Sequence, residues 1–303
     1  IGVAGLANVF QILGHTFGDA KSRELNRDIF ETIYYHAVLE SVELAKKYGS
    51  YETFHGSPAS KGLLQPDLWE QEWEQVLQHR TPGMKKPEIY SPRLGYYWET
   101  LKVAVQHHGL RNSLMVAPMP TASTAQILGF NECFEPITSN MYRRNVSAGS
   151  FTILNRHMVS HLVQLGLWTA AMSDKIKGLN GNIQGMTEVP QHVRSIYKTA
   201  WDIPASTIID MAADRGIFCD QSQSMNIWKR DPEDNFLTKI LFRGWKRGLK
   251  TGMYYNRTAS SSEAVKFTLD PSKLPQPTAA VVGPKQKQYT EEEKLMCSME
   301  NKE

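Results

Sequence analysis

Residues 117–126 carry the side chains best suited to bind an anion. An apolar run ends there at two prolines, and three hydroxyl-bearing residues follow where a helix would begin: Thr121, Ser123 and Thr124. Pro120 suits helix entry because its ring presets φ and its missing N–H would lack a helical partner anyway. The free N–H groups of the first turn and the positive end of the helix dipole together favour phosphate. Taken alone, the segment is more typical of an ordinary strand-to-helix turn with Ser/Thr capping than of an anion site.

Two adjacent tyrosines, Tyr254 and Tyr255, form a second candidate site after a basic helix. Neighbouring residues on a strand point to opposite faces, so the ordinary expectation is one packed ring and one exposed ring. The chemical alternative is redox, because two phenols in hydrogen-bonded contact can pass an electron and a proton together. The residues alone leave both interpretations open.

Two further segments are rich in polar groups. Residues 220–226 follow a buried-looking run and hold enough amides and hydroxyls either to bind a ligand or to satisfy buried backbone groups. Cys133 lies between Glu132 and Glu135, and acidic neighbours raise the pKa of a thiol. We therefore expect residues 131–136 to be a structural loop without a catalytic thiolate.

Composition excludes several classes of function. A formal net charge of +3 over 303 residues is too small for binding nucleic acid or membranes by bulk charge. The sequence has neither an apolar window of about 18 to 20 residues nor a signal-peptide pattern. Cys133, Cys219 and Cys297 contain no Cys-x-x-Cys pair, which favours a reducing, cytoplasmic location. His157 and His161 have no third ligand in reach, so we predict no protein-bound metal.

Helical and strand-like periods alternate along the chain and predict an α/β fold with a partly parallel sheet. Predicted helices cover residues 19–48, 101–108, 121–128, 156–165, 169–177, 191–201, 206–215 and 237–249. Predicted strands cover residues 113–117, 140–146, 150–154 and 217–220. A surface insertion is expected near residues 70–98, where tryptophans flank a Pro/Lys/Gly-rich segment. We expect one domain over residues 1–258 and a largely flexible tail over 259–303, with a short strand-like piece at 265–269.

Several segments, taken together and in order, resemble the large subunit of class I ribonucleotide reductase of the eukaryotic and large-virus type. They are residues 29–35 (IFETIYY), 51–53 (YET), 118–129 (PMPTASTAQILG), 131–136 (NECFEP), 220–226 (DQSQSMN) and 248–255 (GLKTGMYY). Each motif is short, but the ordered set covers nearly all of residues 1 to about 270.

The resemblance implies a fold and an activity. The family reduces ribonucleoside diphosphates in a ten-stranded α/β barrel of two five-stranded parallel halves, and this chain resembles the second half with flanking helices. The segment that matches Thr121, Ala122, Ser123 and Thr124 holds the substrate diphosphate in the family. The tyrosines that match Tyr254 and Tyr255 relay a radical from the tyrosyl–diiron centre of the small subunit. The full subunit is expected to be a homodimer that responds to ATP and dNTP effectors.

The resemblance also indicates what these 303 residues do not supply. The family's radical cysteine lies in an Asn-x-Cys-x-Glu element that we expect upstream of Ile1, and no such element occurs in these 303 residues. Cys133 follows the diphosphate segment and does not match it. Cys297 resembles the approach to a swinging-tail Cys-x-x-Cys that exchanges with thioredoxin- or glutaredoxin-type reductants, and one cysteine cannot perform dithiol exchange. We therefore expect the chain by itself to be inactive.

Two other functions remain open at this point. The chain could be a catalytically inactive paralogue or half-subunit that acts as a protein-binding module. It could also be an unrelated phosphate-binding α/β enzyme, although the ordered motif set argues against that.

Overall fold

Helices make up most of the structure, a computed structural model that describes residues 1–77, 79, 92–146 and 149–258. Ten α-helices have bounds within these residues: α1 (Leu6–Ile12), α2 (Ala20–Tyr48), α3 (Gln65–Glu72), α4 (Trp98–His108), α5 (Ala122–Leu128), α6 (Arg156–Gln164), α7 (Ala170–Gly178), α8 (Gln191–Ile196), α9 (Ala205–Gly216) and α10 (Phe236–Lys246). Short 3-10 turns occupy Ala59–Lys61 and Ala200–Asp202, and one π-helical turn, Trp73–Leu77, extends α3. All described residues belong to one compact unit.

The long helix α2 is the centre of the packing. It begins where the Asp19 carboxylate accepts a hydrogen bond from the Ser22 N–H at 2.7 Å, and it ends at Gly49, whose φ of 81° stops the helical repeat. Its buried face includes Phe30 and Val38, both completely inaccessible to solvent. The predicted helix over residues 19–48 is therefore confirmed.

Two pairs of strands are formed by the described residues. β1 (Met141–Val146) and β2 (Gly149–Leu154) form an antiparallel hairpin at the two strands predicted over residues 140–146 and 150–154. β3 (Asn226–Trp228) and β4 (Tyr255–Arg257) pair in parallel. The predicted five-stranded half-barrel is not seen as a continuous sheet among these residues.

The predicted strands over 113–117 and 217–220 are wrong, because other partners take their backbone donors. The N–H groups of Met115 and Val116 both donate to the Asp220 carboxylate at 2.8 Å instead of to a neighbouring strand. Phe218 and Cys219 donate to the carbonyls of the third residue before each, which continues the end of α9 as turns. Ile1 pairs with this segment as a residue of a parallel strand would. Its amino group donates to the Met115 carbonyl, and its carbonyl accepts from the Ala117 N–H.

Two hydrophobic cores hold the helices together. The larger one surrounds α2 and includes Phe218, Ile217 and Met211. The smaller one lies under the hairpin and is rich in methionine, with Met158 and Met186 fully buried. Close packing of this kind makes the position of each connecting loop depend on the side chains beneath it.

Other predictions meet mixed outcomes. The predicted helix over 191–201 is interrupted, because the N–H and hydroxyl of Thr199 both donate to Asp202 and start a separate 3-10 turn. In the predicted insertion, Trp69 and Trp73 are 5% exposed and belong to the larger core. Residues 78 and 80–91 lie outside the described residues, as do 259–303, including the predicted strand-like piece and Cys297.

Among the described helices, none has the length and apolar character needed to cross a membrane.

Candidate phosphate segment and tyrosine pair

The first turn of α5 carries the candidate phosphate-binding residues. The helix begins after Thr121, and its first helical bond runs from Ala125 N–H to the Thr121 carbonyl at 2.7 Å. The Thr121 hydroxyl does not cap this helix, so the capping role of the ordinary interpretation is not observed for it. Its Oγ1 instead accepts a hydrogen bond from the Cys133 N–H at 2.8 Å.

The residues after Thr121 are open to solvent. Ala122, Ser123 and Thr124 are exposed, and their N–H groups precede the first helical bond. Amides in this position have no carbonyl partner within the helix. The helix entry predicted from sequence is therefore present, and the three residues after Thr121 are exposed.

The rings of Tyr254 and Tyr255 touch each other. Their centroids are 4.3 Å apart at an interplanar angle of 63°, and the residues are 52% and 49% exposed. A hydrogen bond with Tyr255 raises the pKa of Tyr254. The expectation of opposite faces is wrong, because β4 begins only at Tyr255 and Tyr254 lies outside the regular strand.

Arg257 lies over the ring of Tyr255. Its guanidinium carbon is 4.6 Å from the centre of the Tyr255 ring and 5.9 Å from that of Trp228. Cation–π contacts of this length restrain the aromatic ring. Sequence reasoning missed Arg257, since its spacing from Tyr255 is informative only once β4 is known.

Residues 220–226 are used mainly for structure. Asp220 accepts the two backbone donors already described, and Gln223 accepts from the Arg215 Nε at 2.6 Å while donating to the Ala212 carbonyl at 2.7 Å. Arg215 is 1% exposed, so this amide partner offsets part of the cost of burying its charge. Of the two interpretations left open by the sequence, satisfaction of buried groups is the one observed for these two side chains.

The same run joins the two candidate segments through the backbone. The Ser224 N–H donates to the Pro118 carbonyl at 3.0 Å, just before α5. The Tyr254 N–H donates to the Met225 carbonyl at 2.6 Å. Consecutive residues of one short segment thus contact both the approach to the phosphate segment and the tyrosine pair.

In the loop at residues 131–136, residues 133–136 are buried and Glu132 is exposed. Cys133 is 2% exposed, and burial is the main cause that raises its pKa to about 12, so the expected absence of a reactive thiolate agrees with its surroundings. Glu135 is 5% exposed, and burial raises its pKa to about 7. Its two oxygens accept from the Asn226 N–H at 2.8 Å and from the Trp228 Nε1 at 3.4 Å. Sequence reasoning gave Glu135 no role of its own.

The described part of the chain contains no group of three or more His, Cys, Asp and Glu side chains placed to hold a metal ion. His157 and His161 lie on α6, both partly buried. Burial is the main cause that lowers the pKa of His157, while the His161 ring packs against Tyr197 with centroids 5.9 Å apart.

Comparison with known proteins agrees with the sequence motifs. The family model described as "Ribonucleotide reductase, barrel domain" matches residues 1–255. The ribonucleoside-diphosphate reductase large subunit of Trypanosoma brucei brucei is 50% identical over 280 residues, which are 91% of this chain and 33% of that protein. The large subunit of Arabidopsis thaliana is 45% identical over 307 residues, covering 100% of this chain and 35% of its own length.

The fold is also similar to that of a solved relative. The class Id ribonucleotide reductase alpha subunit of Actinobacillus ureae matches with a TM-score of 0.61 and 23% identity, over 86% of this chain and 38% of that one. At this identity the likeness concerns the fold alone. The chain spans about a third of the length of the curated relatives it matches. On the family match and these identities, the chain belongs to the ribonucleotide reductase large-subunit family and corresponds to the C-terminal part of its barrel domain.

Proposed function

We propose that this chain is the part of a ribonucleoside-diphosphate reductase that seats the substrate diphosphate and carries the last tyrosines of a radical relay. The observation that carries the proposal is the pair of backbone hydrogen bonds that joins Pro118 to Ser224 and Met225 to Tyr254. It brings the two family segments to the same short run of chain, as an enzyme that uses both for one reaction requires.

In the proposed role, the first turn of α5 holds the diphosphate. The N–H groups of Ala122, Ser123 and Thr124 and the two hydroxyls donate to phosphate oxygens, and the exposed position of these residues supports this. Thr121 contributes differently, because its hydroxyl is engaged by the Cys133 N–H and anchors the segment to the buried loop.

Tyr254 and Tyr255 are proposed to pass the radical in two steps. Each phenol gives an electron and its proton to the preceding radical, which is reduced, and becomes the radical in its turn. The ring centroids are 4.3 Å apart, and this contact supports direct transfer between the two phenols. Moving the electron and proton together leaves each ring uncharged before and after its step.

The proposed partner is the small subunit of the enzyme, which supplies the radical from its own tyrosyl–diiron centre. The outer face of α10 is suited to bind it, since four large apolar side chains are between 43% and 56% exposed: Leu237, Leu241, Phe242 and Trp245. A Cβ on Gly252 would lie 2.8 Å from the Leu241 Cδ2, so this face continues directly into the segment that leads to Tyr254. The radical cysteine, the effector sites and the redox-active tail are proposed to belong to the longer protein.

The test is made on the full-length protein together with its small subunit. Tyr254→Phe and Tyr255→Phe should each lower turnover by more than about 100-fold, or about 2.7 kcal/mol in barrier, because phenylalanine cannot give up a phenolic proton. The affinity for ADP, measured by calorimetry, should stay unchanged. Tyr142→Phe, which alters an exposed tyrosine on β1, is the matched control and should turn over normally. Normal turnover in either relay variant would contradict the proposal.

A further inference from the structure

The loop at residues 131–136 lies between the phosphate segment and β3, the strand that pairs with β4. At one end, the Cys133 N–H donates to the Thr121 Oγ1 at 2.8 Å. At the other end, two residues later, the Glu135 Oε1 accepts from the Asn226 N–H at 2.8 Å. One short loop therefore contacts a residue of the phosphate segment and the first residue of β3.

The connection continues from β3 to the tyrosines. Asn226 is the register partner of Tyr255, and Trp228 is the register partner of Arg257. Glu135 accepts hydrogen bonds from two residues of β3, from the backbone N–H of Asn226 and from the indole N–H of Trp228, the latter at 3.4 Å. Arg257 in turn lies over the rings of Trp228 and Tyr255. The Glu135 carboxylate thus fixes the strand beside which the relay residue is placed.

The loop between these contacts is held in one shape. Cys133 has a φ of 43°, which non-glycine residues adopt uncommonly, and it is 2% exposed. Phe134 is 1% exposed and lies under the Arg215 guanidinium, whose carbon is 3.8 Å from the ring centre. The Asn131 side chain donates to the Glu135 carbonyl at 2.5 Å. A displacement of such a packed loop at one end moves its other end, because the interior offers little free volume to absorb it.

A simpler role for Glu135 is to satisfy two buried donors. An unpaired buried N–H is destabilising, so loss of the carboxylate would lower stability under either role. The two roles differ in what happens to the tyrosines. A purely structural group leaves the surroundings of Tyr255 unchanged once the protein is folded, whereas a group that sets the position of β3 alters them.

We propose that the 131–136 loop couples the phosphate segment to the tyrosine pair, with Glu135 as the positioning residue for Tyr255 and Thr121 as the anchor at the other end. The inference rests on the proposed function for the roles of the two ends. The new element is Glu135, a residue between the phosphate segment and the tyrosine pair that contacts neither the phosphate nor the radical. In this arrangement, a change in the position of Thr121 reaches Tyr255 through three hydrogen-bonded contacts: Thr121 with Cys133, Glu135 with Asn226, and β3 with β4.

The experiment uses the full-length protein that contains this chain, with 3-nitrotyrosine in place of Tyr255. The visible absorbance of the nitrophenol gives its pKa, which depends on its surroundings and needs no ligand. Glu135→Leu keeps a side chain of similar size but removes both acceptor oxygens, and Thr121→Val keeps the shape but loses the hydroxyl. Both should shift the nitrophenol pKa by about 0.3 or more. The controls Glu132→Leu and Thr121→Ser, which leave the corresponding acceptor in place, should not shift it measurably.

The double variant Thr121→Val/Glu135→Leu distinguishes coupling from two separate effects. Since both changes act on one path, its pKa shift should be clearly smaller than the sum of the single shifts. Additive shifts, or an unchanged nitrophenol pKa in either single variant while the unfolding midpoint falls, would overturn the inference and leave Glu135 a structural group. Calorimetry with ADP on the same proteins tests the phosphate segment separately, because absence of ADP binding would refute the proposed function without altering the titration.

Discussion

Tyr254 and Tyr255 are adjacent in the chain, yet their rings pack edge to face with centroids 4.3 Å apart. Regular strand geometry would separate them, and the contact exists because Tyr254 precedes β4 and is held by the Met225 carbonyl. Both rings remain about half exposed, so the pair is open to a partner on one side and attached to β3 on the other.

The hydrogen bond within this pair should be measurable by titration. Because that bond raises the pKa of Tyr254, Tyr255→Phe should lower the pKa of Tyr254 toward the ordinary value near 10. A single 3-fluorotyrosine in place of Tyr254, followed by fluorine resonance against pH with and without Tyr255→Phe, provides the measurement. Tyr142→Phe is the control, and equal titration curves for all three proteins would show that the hydroxyls do not interact.

A bulky side chain in the first turn of α5 should block the phosphate segment. Ser123 is exposed beside the free amides, so Ser123→Trp should weaken ADP binding by the full-length protein about tenfold or more, or about 1.4 kcal/mol. The helix itself should persist, since the side chain points to solvent. Ser113→Trp places the same bulk at another exposed position and should bind ADP normally in the same calorimetric assay. Unchanged affinity in the Ser123 variant would exclude these residues from the site.

Glu135 should make stability depend on pH. Its folded-state pKa of about 7 exceeds the ordinary value of 4.5, because burial disfavours the charged form. The folded protein therefore binds more protons than the unfolded chain between these values, and the free energy of unfolding falls as pH rises through that window. The contribution is complete below pH 4.5 and amounts to at most about 3 kcal/mol.

The comparison that isolates this effect is urea unfolding from pH 4.5 to 8 for the unsubstituted protein and for Glu135→Gln. The variant should lose less stability over this range, since it has no carboxyl to titrate. Glu132→Gln alters an exposed carboxylate of the same loop and should keep the original pH profile. Parallel profiles for all three proteins would mean that Glu135 is already ionised below this range.

The two described cysteines should be unreactive in the folded protein. Burial raises the pKa of Cys133 and of Cys219 from 9.0 to about 12 in each case, which lowers the thiolate fraction at pH 8 by about 1000-fold. With Cys297→Ser present to remove the third thiol, a colourimetric thiol reagent should label neither residue in native buffer and both in denaturant. Rapid labelling of one thiol in native buffer would show that its loop opens.

Local patterns predicted most of the helices. The apolar period of α2, the Asp19 cap and Gly49 set its bounds, and the same kinds of signal located α6, α7 and α9. The hairpin of β1 and β2 was also predictable, because its pairing partners are close in sequence. Short-range signals sufficed for these elements, whose hydrogen bonds are made within them, whereas α1 and α3 were not predicted.

The strands over 113–117 and 217–220 show where such signals fail. Their apolar character reflects burial in the larger core, which a strand and a packed turn share. Whether Met115 and Val116 pair with a strand or with a carboxylate depends on Asp220, more than 100 residues away in the chain.

The sequence by itself determined the family, the helix entry at Thr121 and the presence of two neighbouring phenols. Only the tertiary structure decided that the Thr121 hydroxyl accepts from Cys133, that Tyr254 and Tyr255 touch, and that Glu135 joins the loop to β3. For Thr121 and Glu135, the physical reason is that these contacts satisfy the backbone donors of Cys133 and Asn226, which other segments supply. The tyrosine rings touch because the Met225 carbonyl holds Tyr254 outside β4. Which acceptor meets each donor is settled only when the helices and loops pack together.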